Sequence, residues 1–176
     1  MELIEGLMTR RSIRRFTSDA VPEEFVETVL RAAMQAPSAA NAQPWHYVII
    51  NDRLMLEKVT EFHTAAESLH EAPMAILICG DSQLEKRPDR WMQDCSAATQ
   101  NMLLAAHGLG LGAVWLGIHP DPIRIDNIRL LLGLPEHVHP LSLVAIGYPG
   151  RILGRVDRFR PERIHHNRLR PQECPH

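Results

Sequence analysis

Residues 74–79, Met-Ala-Ile-Leu-Ile-Cys, form an unbroken apolar run. A strand with one wet face alternates apolar and polar side chains, so a run without alternation marks a strand covered on both faces. It is far too short for the roughly 20 residues that cross a bilayer. A central strand of this kind needs helices above and below its sheet.

The rest of the chain supplies them. Leu3, Ile4, Leu7 and Met8 have helical spacing within residues 2–9. A second helix is predicted from a cap at Ser18 or Asp19, through Pro22, Glu23 and Glu24, to about Gln35. Pro37 ends it, because the residue before a proline avoids helical geometry. Residues 45–50 read as a strand, and 52–60 and 64–71 as two short helices. Residues 91–107, rich in Ala, Leu, Met and Gln, predict a long helix closed by Gly108 and Gly110. A strand at 113–117, a helix at 123–132 closed by Gly133, and a strand at 141–147 follow. The expected fold is a layered α/β sandwich. At 176 residues the chain suits one domain. From Tyr148 onward it is polar, arginine-rich and proline-punctuated, a tail that must dock to be ordered.

Charge is distributed unevenly. The net charge of -2 argues against a dedicated nucleic-acid binder. Yet eleven of the 17 arginines fall at 10–15 and 151–170, around a net acidic middle. Arginine is the better bidentate ligand for phosphate, so two terminal clusters suggest one anionic ligand held between the chain ends. Two solvated basic surfaces would give the same composition. Cys79, Cys95 and Cys174 form no CxxC, which fits a reducing compartment. The start of the chain does not read as a signal peptide, and a cytoplasmic protein is expected.

Three segments could carry chemistry. In Arg10-Arg11-Ser12-Ile13-Arg14-Arg15-Phe16, an extended backbone would put Arg10, Ser12 and Arg14 on one side, able to surround a phosphate. An exposed basic turn would read the same. In Ala36-Pro37-Ser38-Ala39-Ala40-Asn41-Ala42-Gln43-Pro44-Trp45, small side chains would let a flat ligand reach the backbone, with Ser38, Asn41 and Gln43 as donors and acceptors. A capped loop would also look so. In the tail, Arg158 and Arg160 lie two apart. Other chemistries find no support. Gly108, Gly110 and Gly112 follow a helix and precede a strand, the reverse of a dinucleotide fingerprint. There is no GxxxxGK[ST], GxSxG or HExxH, and the ten histidines read as structural rather than metal-binding.

Together, in order and spacing, these segments resemble the FMN-dependent nitroreductase family over nearly the whole chain. RRSIRRF resembles its phosphate motif, and APSAANAQPWHYVII its second signature. DCSAATQNMLLAAHGLGLGAVWLG resembles its long helix and following strand, LLGLPEHVHPLSLVAIGYP its last core strand, and RVDRFRPERIHH its closing basic stretch. The resemblance implies an α+β, three-layer α/β/α sandwich around a mixed, mostly antiparallel sheet. It implies a homodimer with two tightly bound FMN at the interface and residues 151–176 wrapped over the partner. Arg10, Ser12 and Arg14 would hold the flavin's phosphate and ring edge, and Arg11 would contribute backbone. Pro37, Ser38, Ala39 and Asn41 would lie along the ring, Ser38 from the other subunit. Leu116 and Gly117 would offer backbone near the reactive nitrogen, and Arg158 and Arg160 would complete the phosphate clamp. NADH or NADPH would reduce the flavin, which would then reduce nitroaromatic, quinone or similar acceptors in a ping-pong cycle. Flavin-consuming or dehalogenating relatives, and a non-catalytic flavin- or metal-binding protein, are the rival readings. Residues 61–73, EFHTAAESLHEAP, depart from the family in lacking its Asn and Lys.

Overall fold

The computed structural model describes residues 2–169; Arg170 and Cys174 lie outside the described residues. In chain order the elements are α1 (Leu3–Thr9), α2 (Glu23–Met34), β1 (Trp45–Ile50), α3 (Arg53–Phe62), β2 (Met74–Asp81), α4 (Trp91–Gly108), β3 (Gly112–Gly117), α5 (Pro122–Leu132) and β4 (Val138–Gly147). The strands form one sheet in the order β1-β2-β4-β3, with every neighbouring pair antiparallel. Among the described residues, parallel pairing is confined to an isolated bridge between Ser12 and Ala113.

The apolar run sits in β2, buried at all eight positions. Its side chains divide by parity. Met74, Ile76 and Ile78 pack with α2 and α4 on one face. Ala75, Leu77 and Cys79 pack with α3 and α5 on the other. The sandwich therefore has three layers, as the unalternated run requires. Asp52 caps α3 by accepting from Met55 N at 3.0 Å, and Asp121 caps α5 by accepting from Ile123 N at 3.0 Å. Gly133 takes the left-handed conformation, φ +64°, that closes α5.

Three expectations need correction. Ser18 and Asp19 do not cap α2. The helix begins directly after Pro22, and the Asp19 carboxylate accepts from the Thr17 hydroxyl at 2.7 Å. Residues 64–71 form only a 3₁₀ turn at Glu67–His70. Ala66, Leu69 and Ala72 are each fully buried, and a three-residue repeat suits the 3₁₀ winding of three per turn. Strand β4 starts at Val138, earlier than 141, with Pro140 inside it. A proline cannot donate into the ladder, and the pairing slips there by a bulge, Ile78 facing Ser142 and Cys79 facing Pro140.

Leu143, in the central strand β4, has no exposed surface. Leu143→Ala is expected to destabilise the fold by about 2–5 kcal/mol. That corresponds to a melting temperature lower by roughly 4–20 °C for a chain this size. A shift under 2 °C in a calorimetric scan would show that the core is not centred here.

Candidate functional site

The N-terminal arginine segment runs along the free edge of β3. Ile13 N donates to the Ala113 carbonyl at 3.0 Å, Thr17 N to Tyr148 at 3.0 Å and Gly150 N to Arg15 at 2.8 Å. Gly112 is what allows this approach: a Cβ there would come within 2.6 Å of Ile13 Cγ2. Ile13 thus faces the sheet, which leaves Ser12 and Arg14 on the opposite side of the extended segment. Phe16, buried, pins its far end, and Glu71 accepts from Phe16 N at 3.0 Å and from the Arg15 guanidinium.

Tail and N-terminus meet here. Arg11 donates to the Gly154 carbonyl, and Arg155 lies 4.0 Å from Glu5. Arg10 lies close enough to Arg158 and Arg11 to feel both charges. Its guanidinium pKa is lowered, first by burial and then by Arg158 and Arg11. Its Nη1 is buried and has no hydrogen-bond partner among the described residues. A half-buried cation crowded by two others and lacking an acceptor is unfavourable unless an anion completes it. Arg160 is directed elsewhere, donating to the Phe159 carbonyl at 3.0 Å and lying 4.0 Å from Glu162. Arg14 is exposed and borders a cavity of about 360 Å³ shared with Arg15, Thr64, Ala65, Glu67 and Ser68. The Ser68 hydroxyl, buried, has no partner among the described residues.

The small-residue loop lies elsewhere. Ala40, Asn41 and Gln43 all have φ +52°, a left-handed conformation that costs a non-glycine residue about 1–2 kcal/mol. Such strain persists only where surroundings impose it. Here Asp94 accepts from Ala39 N at 3.0 Å, the Ser38 hydroxyl oxygen accepts from Gln43 N at 3.0 Å, and Lys86 donates to the Ala40 and Asn41 carbonyls at 3.3 Å. Pro37, Ala40 and Asn41 are exposed. Asp94 and Lys86 are absent from the sequence expectations. Only the first-turn position of Asp94 on the long helix hinted at a brace.

In one chain the loop and the arginines are far apart. Asp94 holds the loop at the start of α4, while Thr9, next to Arg10, is 2.9 Å from His107 at its end. These anchors are thirteen positions apart, about 20 Å along the helix. The loop also leads into β1 and the arginines follow β3, the two opposite edges of the sheet.

The exposed edge of β3 completes the picture. Ile118 N donates to the Leu141 carbonyl, which makes 118 and 141 a hydrogen-bonded pair. By alternation Leu116 directs its N–H and C=O at β4, while Ala113, Trp115 and Gly117 direct theirs outward. Ile13 takes the Ala113 carbonyl. The Gly117 carbonyl accepts from His63 Nε2 and from Arg124 Nη1, each at 2.9 Å. By the same alternation the Gly117 N–H points away from β4. His63 and Arg124 also escaped the sequence reading, since nothing local links either to residue 117.

The chain is thus a three-layer α+β sandwich with a cationic edge along β3 and a strained small-residue loop at the opposite edge of its sheet. The family model described as "Nitroreductase family" matches residues 7–148, and the chain belongs to that family. A Methanothermobacter thermautotrophicus protein, whose name pairs NADH dehydrogenase with NAD(P)H nitroreductase, is 50% identical over 94% of this chain and 86% of its own length. A Parabacteroides distasonis structure with the same name superposes with TM-score 0.92 at 38% identity, covering 95% of this chain and 98% of that one. The FMN-dependent nitroreductase of Clostridium difficile gives TM-score 0.88 at 27% identity, covering 94% and 99%.

Proposed function

We propose that this chain is an FMN-dependent oxidoreductase that takes hydride from NADH or NADPH and reduces nitroaromatic, quinone or similar small acceptors. The observation that carries the reading is Arg10, a half-buried guanidinium near the charges of Arg11 and Arg158, whose Nη1 has no hydrogen-bond partner among the described residues. A phosphate fits that corner, because it brings the charge and the acceptors that Arg10 lacks. Arg10 and Arg158 would grip it, with the Ser12 hydroxyl as a further donor. Arg11, its guanidinium engaged by Gly154, would give its backbone N–H. Arg160 would join by turning from Glu162. Arg14 would lie at the ring's pyrimidine edge, where its cation favours the reduced, anionic form, and the outward N–H of Gly117 would meet the reactive nitrogen, whereas Leu116 spends its own backbone groups on β4. Bound FMN supplies the hydride-accepting and electron-delivering chemistry. The protein's part is to hold the ring, exclude water and supply charge, so no acid or base side chain is required.

The working unit would be a homodimer. Leu3, Ile4, Leu7 and Met8 on α1 are 72%, 64%, 48% and 56% exposed, and no residue of α1 is buried. A second copy of this chain is the occupant that also cures the 20 Å gap. It would bring Pro37, Ser38, Ala39 and Asn41 to the other copy's arginine edge, while the tail, docked on its own N-terminus through Gly154 and Arg155, would reach the partner only beyond them. No helix among the described residues is long and apolar enough to cross a membrane. Cys79 and Cys95 are buried free thiols, with burial pushing Cys79 up to about 12, and they suit the reducing cytoplasm.

The test is spectroscopic. The purified protein should be yellow, bleach on adding NADH or NADPH without oxygen, and recover its colour with a quinone. A colourless protein that ignores added FMN overturns the reading. A yellow one that neither nucleotide bleaches removes the proposed donor.

A further inference from the structure

Gly117 ends the edge strand, and two side chains, one from just past α3 and one from α5, close on its carbonyl. His63 follows the last turn of α3 and is 1% exposed. Its Nε2 faces a carbonyl, which can only accept, so Nε2 must carry the proton. Burial and the neighbouring Arg124 hold the ring below the ordinary histidine pKa, so it donates as a neutral imidazole. Arg124 comes from the first turn of α5, its Nε 3.1 Å from Oδ2 of Asp121, the residue that caps the same helix. With both donors at 2.9 Å, the two lone pairs of this carbonyl are filled.

Packing alone does not ask for these groups. Among the described residues His63 Nδ1 is buried without a partner, and Arg124 Nε, though near Asp121, is too poorly aligned to bond it. Unpaired buried polar atoms of this kind destabilise a fold. Apolar side chains would hold α3 and α5 on the sheet without them.

Strand geometry supplies the reason. In an extended residue the N–H and C=O project to the same side. For Gly117 that side is away from β4. Whatever the Gly117 N–H holds therefore lies beside His63 and the Arg124 cation.

We infer that His63 and Arg124 are positioning residues for the redox reaction: by holding the Gly117 carbonyl they fix the backbone of that residue, so that its N–H, on the same side of the strand, addresses the reactive nitrogen of FMN, and they set a cation beside that nitrogen. This rests on the reading that FMN lies along the β3 edge. The cation favours added negative charge on the ring, and the fixed N–H needs no reorganisation as that charge arrives.

The experiment compares wild type, Arg124→Met, Arg124→Lys and His63→Gln, each first checked for FMN binding by fluorescence titration and for fold by circular dichroism. In Arg124→Met the two-electron equilibrium of bound FMN is expected to shift about tenfold toward the oxidised form, ~30 mV in midpoint potential. The visible band should move, and kcat should fall with the nucleotide KM unchanged. Arg124→Lys should restore most of the potential, and His63→Gln should have a smaller effect of the same sign. Hydrogen exchange at the Gly117 amide should slow when FMN binds wild type, and slow less in Arg124→Met. Failure of wild type to bind FMN would defeat the underlying reading. Normal FMN binding with potential, spectrum and Gly117 exchange unchanged in folded Arg124→Met and His63→Gln would overturn this inference alone.

Discussion

Arg10→Ala is expected to raise the FMN dissociation constant by roughly 10- to 150-fold while leaving the FMN-free protein as stable as its parent or more so. The affinity figure follows from one hydrogen-bonded contact to a charged group, about 1.5–3 kcal/mol, at about 1.4 kcal/mol per tenfold. The opposite sign for stability follows from the empty corner. There the guanidinium is partly desolvated, faces Arg158 and Arg11, and has an Nη1 with no acceptor. Removing it relieves repulsion and a desolvation penalty together. A structural arginine would behave otherwise, since its loss would lower stability whether or not ligand is present. Fluorescence titration and thermal scans with and without FMN separate the two. Arg158→Ala should weaken FMN in the same sense. Its side chain is more exposed, so a smaller change is expected. Unchanged affinity in both variants would remove the two-ended clamp.

The second large effect is expected from α1. Leu3 and Leu7 lie four apart on one face of a helix that buries nothing. Leu3→Glu/Leu7→Glu should convert a dimer to monomers in sedimentation velocity without unfolding them, because neither side chain contributes to either core cluster. FMN affinity should fall by about two orders of magnitude, since the partner's loop would no longer reach the ring and each lost hydrogen bond removes about 0.5–1.5 kcal/mol. A variant that stays dimeric places the interface elsewhere. A monomer that binds FMN as tightly as wild type shows that the cofactor site is complete in one chain.

The layering of the fold was legible in local sequence because it depends on local pattern. The 74–79 run predicted a doubly covered strand, and β2 is buried on both faces. Gly133 and Pro37 marked helix ends from backbone preference alone. Where sequence misled, a long-range constraint had overridden a local one. Residues 64–71 have helical composition, but three positions must all face the core at a spacing of three, which an α-helix does not provide. Pro140 hid the start of β4 because a bulge absorbs it, and a bulge is visible only in the pairing.

The arginine asymmetry belongs to both levels. The sequence by itself determined that the chain ends are basic around an acidic middle, and that the segment types and their order are those of the nitroreductase family. The first is a property of composition and the second a resemblance of motifs and their order, and neither needs coordinates. Only the tertiary structure decided which arginines face one another. It brought Arg158 to Arg10, committed Arg11 to Gly154, sent Arg160 toward Glu162, and put the 38–43 loop at the far end of α4. It also brought His63 and Arg124 onto one carbonyl of Gly117 from 54 and 7 positions away along the chain. A hydrogen bond needs direction and a distance near 3 Å, and sequence separation carries no information on either.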